Sequence, residues 1–167
     1  FSIEPEQVRL RGLTGRIGSD QLELDLDLSR RDTLRGHLDL HLSQANLQTF
    51  GLMENVRLSR QAPFPFLDLP IGNWLQTVLR SGAAASRDFT FNLRSDDIRA
   101  DNIRLGPVTM NGRIIDNTLE LGVLQFDDYL NSTFAITGSL RHDGQTSDGA
   151  LDIAVDTPDA SRLLAPL

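Results

Sequence analysis

Leucine and acidic residues alternate without a break through "QLELDLDLS" at 21–29. Leu22, Leu24, Leu26 and Leu28 take every second place, and Glu23, Asp25 and Asp27 fall between them. Successive side chains on a strand point to opposite faces, so the stretch predicts a strand with one apolar wall and one acidic wall. The same period recurs along the chain. "GHLDLHL" places Leu38, Leu40 and Leu42 on one face, and "DFTFNLRS" does so with Phe89, Phe91 and Leu93. "NTLELGV" gives Leu119, Leu121 and Val123, "STFAITGSL" gives Phe134, Ile136 and Leu140, and "GALDIAV" gives Leu151, Ile153 and Val155. Shorter candidates are "VRLRG", "NVRLSR", "DNIRL" and "PVTMNGRII", set apart by Gly, Asn and Asp turn signals such as Asp143-Gly144. Roughly nine or ten strands at hairpin-like spacing predict a serial, predominantly antiparallel sheet.

One segment breaks the period. In "FLDLPIGNWLQTVLRSG" at 66–82, Asp68 caps a first turn, Pro70 suits a helix start, and Gly82 offers a stop. Trp74, Leu75, Val78 and Leu79 form its apolar face, which predicts a short amphipathic helix over 71–81 that plugs or edges the sheet. A membrane-surface role finds little support, because only Arg80 supplies positive charge there. "QAPFPF" just before it reads as a linker. The chain thus divides into a first β repeat over 1–60, a linker with the helix over 61–87, and a second β repeat over 88–167. The two halves resemble each other: "GRIGSDQLELDLDL" at 15–28 lies on "GRIIDNTLELGVLQ" at 112–125 without a gap, and "GHLDLHLSQANLQTF" resembles "GALDIAVDTPDASRLL". Repetition of a small β unit points to an extensible sheet.

Nine strands at ~4.8 Å spacing make a sheet roughly 40 Å wide, whereas one helix with its side chains is only ~10–12 Å across. One helix therefore leaves most of the apolar wall uncovered. The sheet must curl into a barrel or half-pipe, split into a sandwich, or keep a furrow for another apolar occupant. Each leucine withdrawn from water gains ~1.5–3 kcal/mol, so a bare row would be a severe liability. The wall is mostly Leu and aromatics make up 6% of the chain. That composition suits a lining that does not interlock tightly, and a packed Leu-rich core remains the alternative.

Composition narrows the classes further. At 167 residues, 40% hydrophobic and 23% charged, the chain has the make-up of one folded domain. No apolar run reaches the ~20 residues needed to span a bilayer, and "FSIEPEQVRL" is neither a signal peptide nor an anchor. The chain opens on Phe1, so it reads as part of a larger protein whose membrane contact lies elsewhere. Net charge is −7 and all 16 basic residues are Arg. The pI near 4.8 argues against nucleic-acid partners and against adsorption to anionic headgroups by charge alone. Cysteine is absent, which excludes disulfides and thiolate chemistry.

Candidate chemistry is sparse. His37, Asp39 and His41 share one strand face at metal-ligand spacing, yet Leu38, Leu40 and Leu42 hold the other side, so the trio reads as a solvated outer face. His142 stands alone beside a turn. The carboxylate pairs Asp25/Asp27, Asp96/Asp97 and Asp127/Asp128 fall on polar faces or in turns, where water keeps them ionised. "HDGQTSDG" lacks calcium-loop spacing and reads as a hairpin turn, and "NST" at 131–133 is a bare sequon. No nucleophile motif or phosphate loop is present. The expectation is a non-enzymatic protein without metal or cofactor.

From "LDLPIGNWL" through "RDFTFNLRSDDIRADNIRLGPVTMNGRIIDNTLELGVLQF" to "TGSLRHDGQTSDGALDIAVDTPDASRLL", the chain resembles the C-terminal repeat region of the AsmA family of Gram-negative bacteria. The likeness covers roughly residues 67–164 well and 1–60 more loosely. It departs at "QFDDYLNSTFAITGS", where Asp127, Asp128 and Tyr129 replace a small, glycine-paired stretch. The resemblance implies a mainly β protein whose curved antiparallel sheet forms an open groove or half-barrel, related to the bridge-like lipid transporters TamB and YhdP. It also implies a periplasmic segment of an inner-membrane-anchored protein that carries phospholipid acyl chains toward the outer membrane, in contact with other envelope proteins. Two alternatives stand beside it: a scaffolding or interaction β module of the envelope with a filled core, and a β-sandwich enzyme or carbohydrate binder.

Overall fold

The computed structural model describes residues 2–4, 6–17, 20–30, 33–46, 87–100, 103–129, 131–142 and 147–161. Alternation turns into strands throughout. In chain order they are β1 (Ser2–Glu4), β2 (Gln7–Ile17), β3 (Asp20–Arg30), β4 (Leu34–Leu42), β5 (Ala45–Asn46) and β6 (Arg87–Ser95), followed by β7 (Ile98–Ala100), β8 (Ile103–Leu105), β9 (Val108–Ile115), β10 (Thr118–Tyr129), β11 (Ser132–His142) and β12 (Ser147–Asp156). Nine form one sheet in the order β1-β2-β3-β4-β6-β9-β10-β11-β12, and β5-β7-β8 form a small second sheet. The large sheet does not close into a barrel, and the described residues contain no helical element. The helix expected over 71–81, with Trp74, Leu75, Val78 and Leu79, lies outside the described residues together with its linker.

Tight turns account for the serial order. Ile115 pairs with Thr118 across Asp116 and Asn117, and Asp116 adopts a φ of 51°. Asn131, at φ 59°, sits in the link that lets Tyr129 pair with Ser132. Asp and Asn tolerate this left-handed backbone better than other non-glycine residues. Asp127 and Tyr129, where the chain departs from the AsmA pattern, belong to β10, whose register shifts between Phe126 and Tyr129.

Within the large sheet one pairing breaks the serial antiparallel expectation: β4 and β6 run parallel, from Leu34 beside Arg87 to Leu42 beside Ser95, and β5 pairs parallel with β7 in the small sheet. Parallel neighbours need a connection of a dozen or more residues, and the sequence between Leu42 and Arg87 is long enough for one. Both strands then leave the sheet together, Ala45 pairing with Ile98 in the small sheet. Asp97 secures that departure. Its carbonyl accepts the Ala45 N–H at 2.8 Å and the Ser95 hydroxyl at 3.0 Å.

The two halves share faces but differ in register. In the second hairpin Ile114 pairs with Leu119, whereas in the first Ile17 pairs with Asp20, two residues short of Leu22. The gap-free match of 15–28 on 112–125 therefore fails at the turn, where the first hairpin is the shorter. Each half also carries a bulge. In β2 the ladder shifts between Leu10 and Leu13 at Gly12, whose φ is 58° and whose N–H donates to Asp25 Oδ1 at 2.6 Å. In β10 it shifts between Leu121 and Val123.

Candidate functional site

The register assembles the alternating residues into rows that cross the sheet at right angles to the strands. One row runs Val8, Leu28, Gly36, Phe89, Ile114, Leu119, Leu140, Gly149; the next runs Leu10, Leu26, Leu38, Phe91, Gly112, Leu121, Gly138, Leu151. A third runs Leu13, Leu24, Leu40, Leu93, Met110, Leu124, Ile136, Ile153, and a fourth Gly15, Leu22, Leu42, Ser95, Val108, Phe126, Phe134, Val155. All lie on one face because directly paired residues point the same way. The β4–β6 parallel pair continues the rows without interruption. Ser95 is the one hydroxyl in them, and its Oγ is engaged by Asp97.

Burial along these rows is graded. At the centre Phe91, Ile114, Leu119, Phe134 and Ile136 are buried, and the Phe126 and Phe134 rings stack 4.9 Å apart. Over β3 and β4, Leu22, Leu24, Leu26, Leu28, Leu38, Leu40 and Leu42 are only half-buried, as are Phe89 and Leu93. At the far edge Leu151, Ile153 and Val155 are exposed. The wall is thus closed in the middle, half-open over the first repeat and bare along β12.

Val123 does not belong to this wall. The bulge at Gly122 adds one residue to β10, so Val123 pairs with Asn111 on the polar face while Leu124, beside Met110 and Ile136, takes the inner place and packs on the core. Sequence alternation counted through the bulge and so chose the wrong residue. Met110, Ile114, Val108 and Phe126 also join the core. The first three share one face of "PVTMNGRII" with Gly112 between Met110 and Ile114, a pattern that named the strand without naming its face.

The centre of the opposite face carries a network of paired polar and charged side chains. His37 places Nε2 at 2.6 Å from Asp39 Oδ2 and Nδ1 at 2.7 Å from Thr90 Oγ1. Asn92 donates to Asp39 Oδ1 at 2.8 Å, and this bond, with His37 alongside, holds the Asp39 carboxyl below its usual range. His41 turns away toward Asp96, at 3.1 Å. The two imidazoles therefore do not converge, and no metal-binding group of His and carboxylate residues occurs among the described residues. Asp27 accepts from Arg9 and Gln7, and Arg113 grips Asp88 through two nitrogens at 2.7 and 2.9 Å. A concavity of about 720 Å³ is lined by Asp25, Asp27, Arg35, His37, Asp88 and Arg113, with Leu10 and Leu26 also contributing to its lining. Its charged rim does not suit hydrocarbon.

Asp97 departs from the expectation of a solvated turn carboxylate. It is buried, and Arg99 and Arg104 each donate to it, at 2.8 and 2.7 Å. Burial pushes its carboxyl up, but the hydrogen bonds from Arg104 and Arg99 outweigh that and hold it below the ordinary carboxylate value.

No family model, curated protein or solved structure matches this chain.

Proposed function

We propose that this chain is a segment of an AsmA-like envelope protein whose apolar sheet face carries phospholipid acyl chains between the inner and outer membranes, in support of outer-membrane biogenesis. The site is periplasmic and non-catalytic, and the anchor in the inner membrane belongs to other parts of the protein. The observation that carries the reading is the set of four apolar rows crossing the sheet, with the leucines of β3 and β4 half-buried. A tail lying along a row over β3 and β4 meets a half-buried leucine at every strand, about every 4.8 Å. Leucine supplies transfer energy without direction, which suits movement along the wall. Headgroups stay in water, off the apolar wall.

The closed centre favours a second reading, an envelope scaffolding or interaction module whose wall is filled by its own side chains. Phe91, Ile114, Leu119 and Phe134 are packed there as in an ordinary core.

Site-specific photo-crosslinking separates the two. A benzophenone side chain at Leu26 or Leu40 is expected to capture phospholipid in cells, and one at Asp25 or Asp39, on the opposite face, is not. Equal capture on both faces, or none on the leucine face together with a lipid-free mass in native mass spectrometry, would discard the carrier reading.

A further inference from the structure

Four large apolar side chains among the described residues stand exposed: Leu13, Leu151, Ile153 and Val155. They are confined to opposite ends of the sheet, one on β2 and three on β12. β12 makes ten unbroken pairs with β11 on its inner side, while its outer edge has no partner strand among the described residues. β1 covers β2 only from Gln7 to Arg9, so among the described residues 13–17, beyond the Gly12 bulge, have no partner on that side and form a second edge. Long unprotected edges are templates for strand addition.

The two edges are complementary in charge. On the polar face β12 carries Asp148, Asp152 and Asp156 and no cation, whereas the polar side of β2 carries Arg11 and Arg16. None of these five makes a hydrogen bond or ion pair through its side chain among the described residues. Pairing of β12 with another β12 would set aspartates against aspartates, which is unfavourable. Pairing with β2 sets them near arginine.

Direction and pattern agree. Six antiparallel steps and one parallel step separate β2 from β12, so the two strands point the same way. A copy shifted along the sheet therefore meets its neighbour as a parallel pair, which is the relation already present between β4 and β6. β12 also repeats the inner pattern of β4: Gly149, Leu151, Ile153 and Val155 stand in the rows of Gly36, Leu38, Leu40 and Leu42. A leucine Cδ2 from the preceding strand leans on each glycine, Leu28 on Gly36 and Leu140 on Gly149, but only Gly36 has Phe89 on its other side.

We infer that β12 of one copy of this chain adds in parallel to residues 13–17 of β2 of a second copy, head to tail, extending the sheet and its apolar face. The contact is heterologous, so copies add in series. The inference rests on the edges alone and is independent of what the apolar face carries.

Sedimentation velocity of the purified chain over a concentration series is the test, with circular dichroism confirming that each variant folds. The wild type is expected to gain mass with concentration and to lose that gain in high salt. The variant Asp148→Arg/Asp152→Arg/Asp156→Arg, and separately Arg11→Glu/Arg16→Glu, are each expected to lose it, and an equimolar mixture of the two to regain it. Because the chain has no cysteine, Arg16→Cys copies and Asp156→Cys copies, which stand opposite each other when the rows continue across the contact, provide a gentler check. Oxidised together they are expected to give a cross-linked pair that neither gives alone. A wild type that stays monomeric, variants that associate as it does, or cross-links formed equally by one variant alone would overturn the inference.

Discussion

The Phe91 ring lies over Gly112, its register partner on β9, with Cζ 2.8 Å from the point where a Cβ would stand. The Glu120 carbonyl oxygen crowds the same point at 2.6 Å. Phe91 is fully buried because the glycine yields it that space. The pair fixes the centre of the second row, next to Leu121. Gly112→Ala is expected to lower stability by about 1–3 kcal/mol, as overpacked cores do. Gly15 is its counterpart in the first repeat, and there only Leu22 Cδ2 approaches, at 3.8 Å. Gly15→Ala is expected to stay within about 0.5 kcal/mol of wild type. Urea unfolding of both variants makes the comparison, and equal losses would mean that the ring does not depend on the glycine.

Val123 and Leu124 offer a direct reading of which way β10 faces after its bulge. Val123 points to the polar side beside Asn111, and Leu124 to the core beside Met110. Val123→Ser is expected to change stability by about 0.5 kcal/mol or less. Leu124→Ser is expected to cost about 1–3 kcal/mol, the transfer energy of a leucine packed on the core but partly buried. Reversal of the two results in a denaturation series would place the extra residue elsewhere.

How much of this was legible follows from what each signal depends on. Period-2 alternation depends only on local backbone geometry, so Leu22 to Leu28, Leu38 to Leu42 and Phe134 to Ile136 reached their face as read. A bulge shifts that period by one, and Gly122 in "LELGVL" gave no warning that Leu124 would replace Val123. The parallel β4–β6 pair was hidden because it joins residues about fifty apart, a choice made by long-range packing. Asp97 was misjudged for the same reason. Beside Asp96 it looked like a turn carboxylate, and only the fold brings Arg99 and Arg104 onto it. The charged face read as solvated lies open to water, although its partners span five strands, β2, β3, β4, β6 and β9.

Asp97 carries a pH prediction with a definite sign. Its folded carboxyl titrates below the unfolded value of about 3.9, so the stability it contributes is present above that pH and lost as pH falls through and below it. Asp39 and Asp88, also lowered, act in the same direction. Thermal unfolding is expected to occur at lower temperature as pH drops from 5 toward 2–3, the window of these carboxylates. Asp97→Asn is expected to cost about 1–3 kcal/mol at neutral pH, since the two arginines lose a charged acceptor. It is also expected to flatten the acid limb. A variant as acid-sensitive as wild type would assign that limb to other groups.

The gradient of burial separates residues that hold the fold from those that face an occupant. Phe134 has no exposed surface, whereas Leu40 is half-buried on the same face. Phe134→Ala removes a packed ring and is expected to cost about 3–5 kcal/mol. Leu40→Ala loses only part of a leucine's transfer energy and is expected to cost about 1–2 kcal/mol. Ligand binding to the folded state alone raises the unfolding midpoint, so a short-chain phosphatidylcholine added below its micellar concentration is expected to stabilise the wild type. Leu40→Asp, which sets a carboxylate in the third row, is expected to lose that stabilisation while remaining folded. Stabilisation that persists in Leu40→Asp and vanishes when Asp39 on the polar face is replaced by Asn would move the tail to the other side of the sheet.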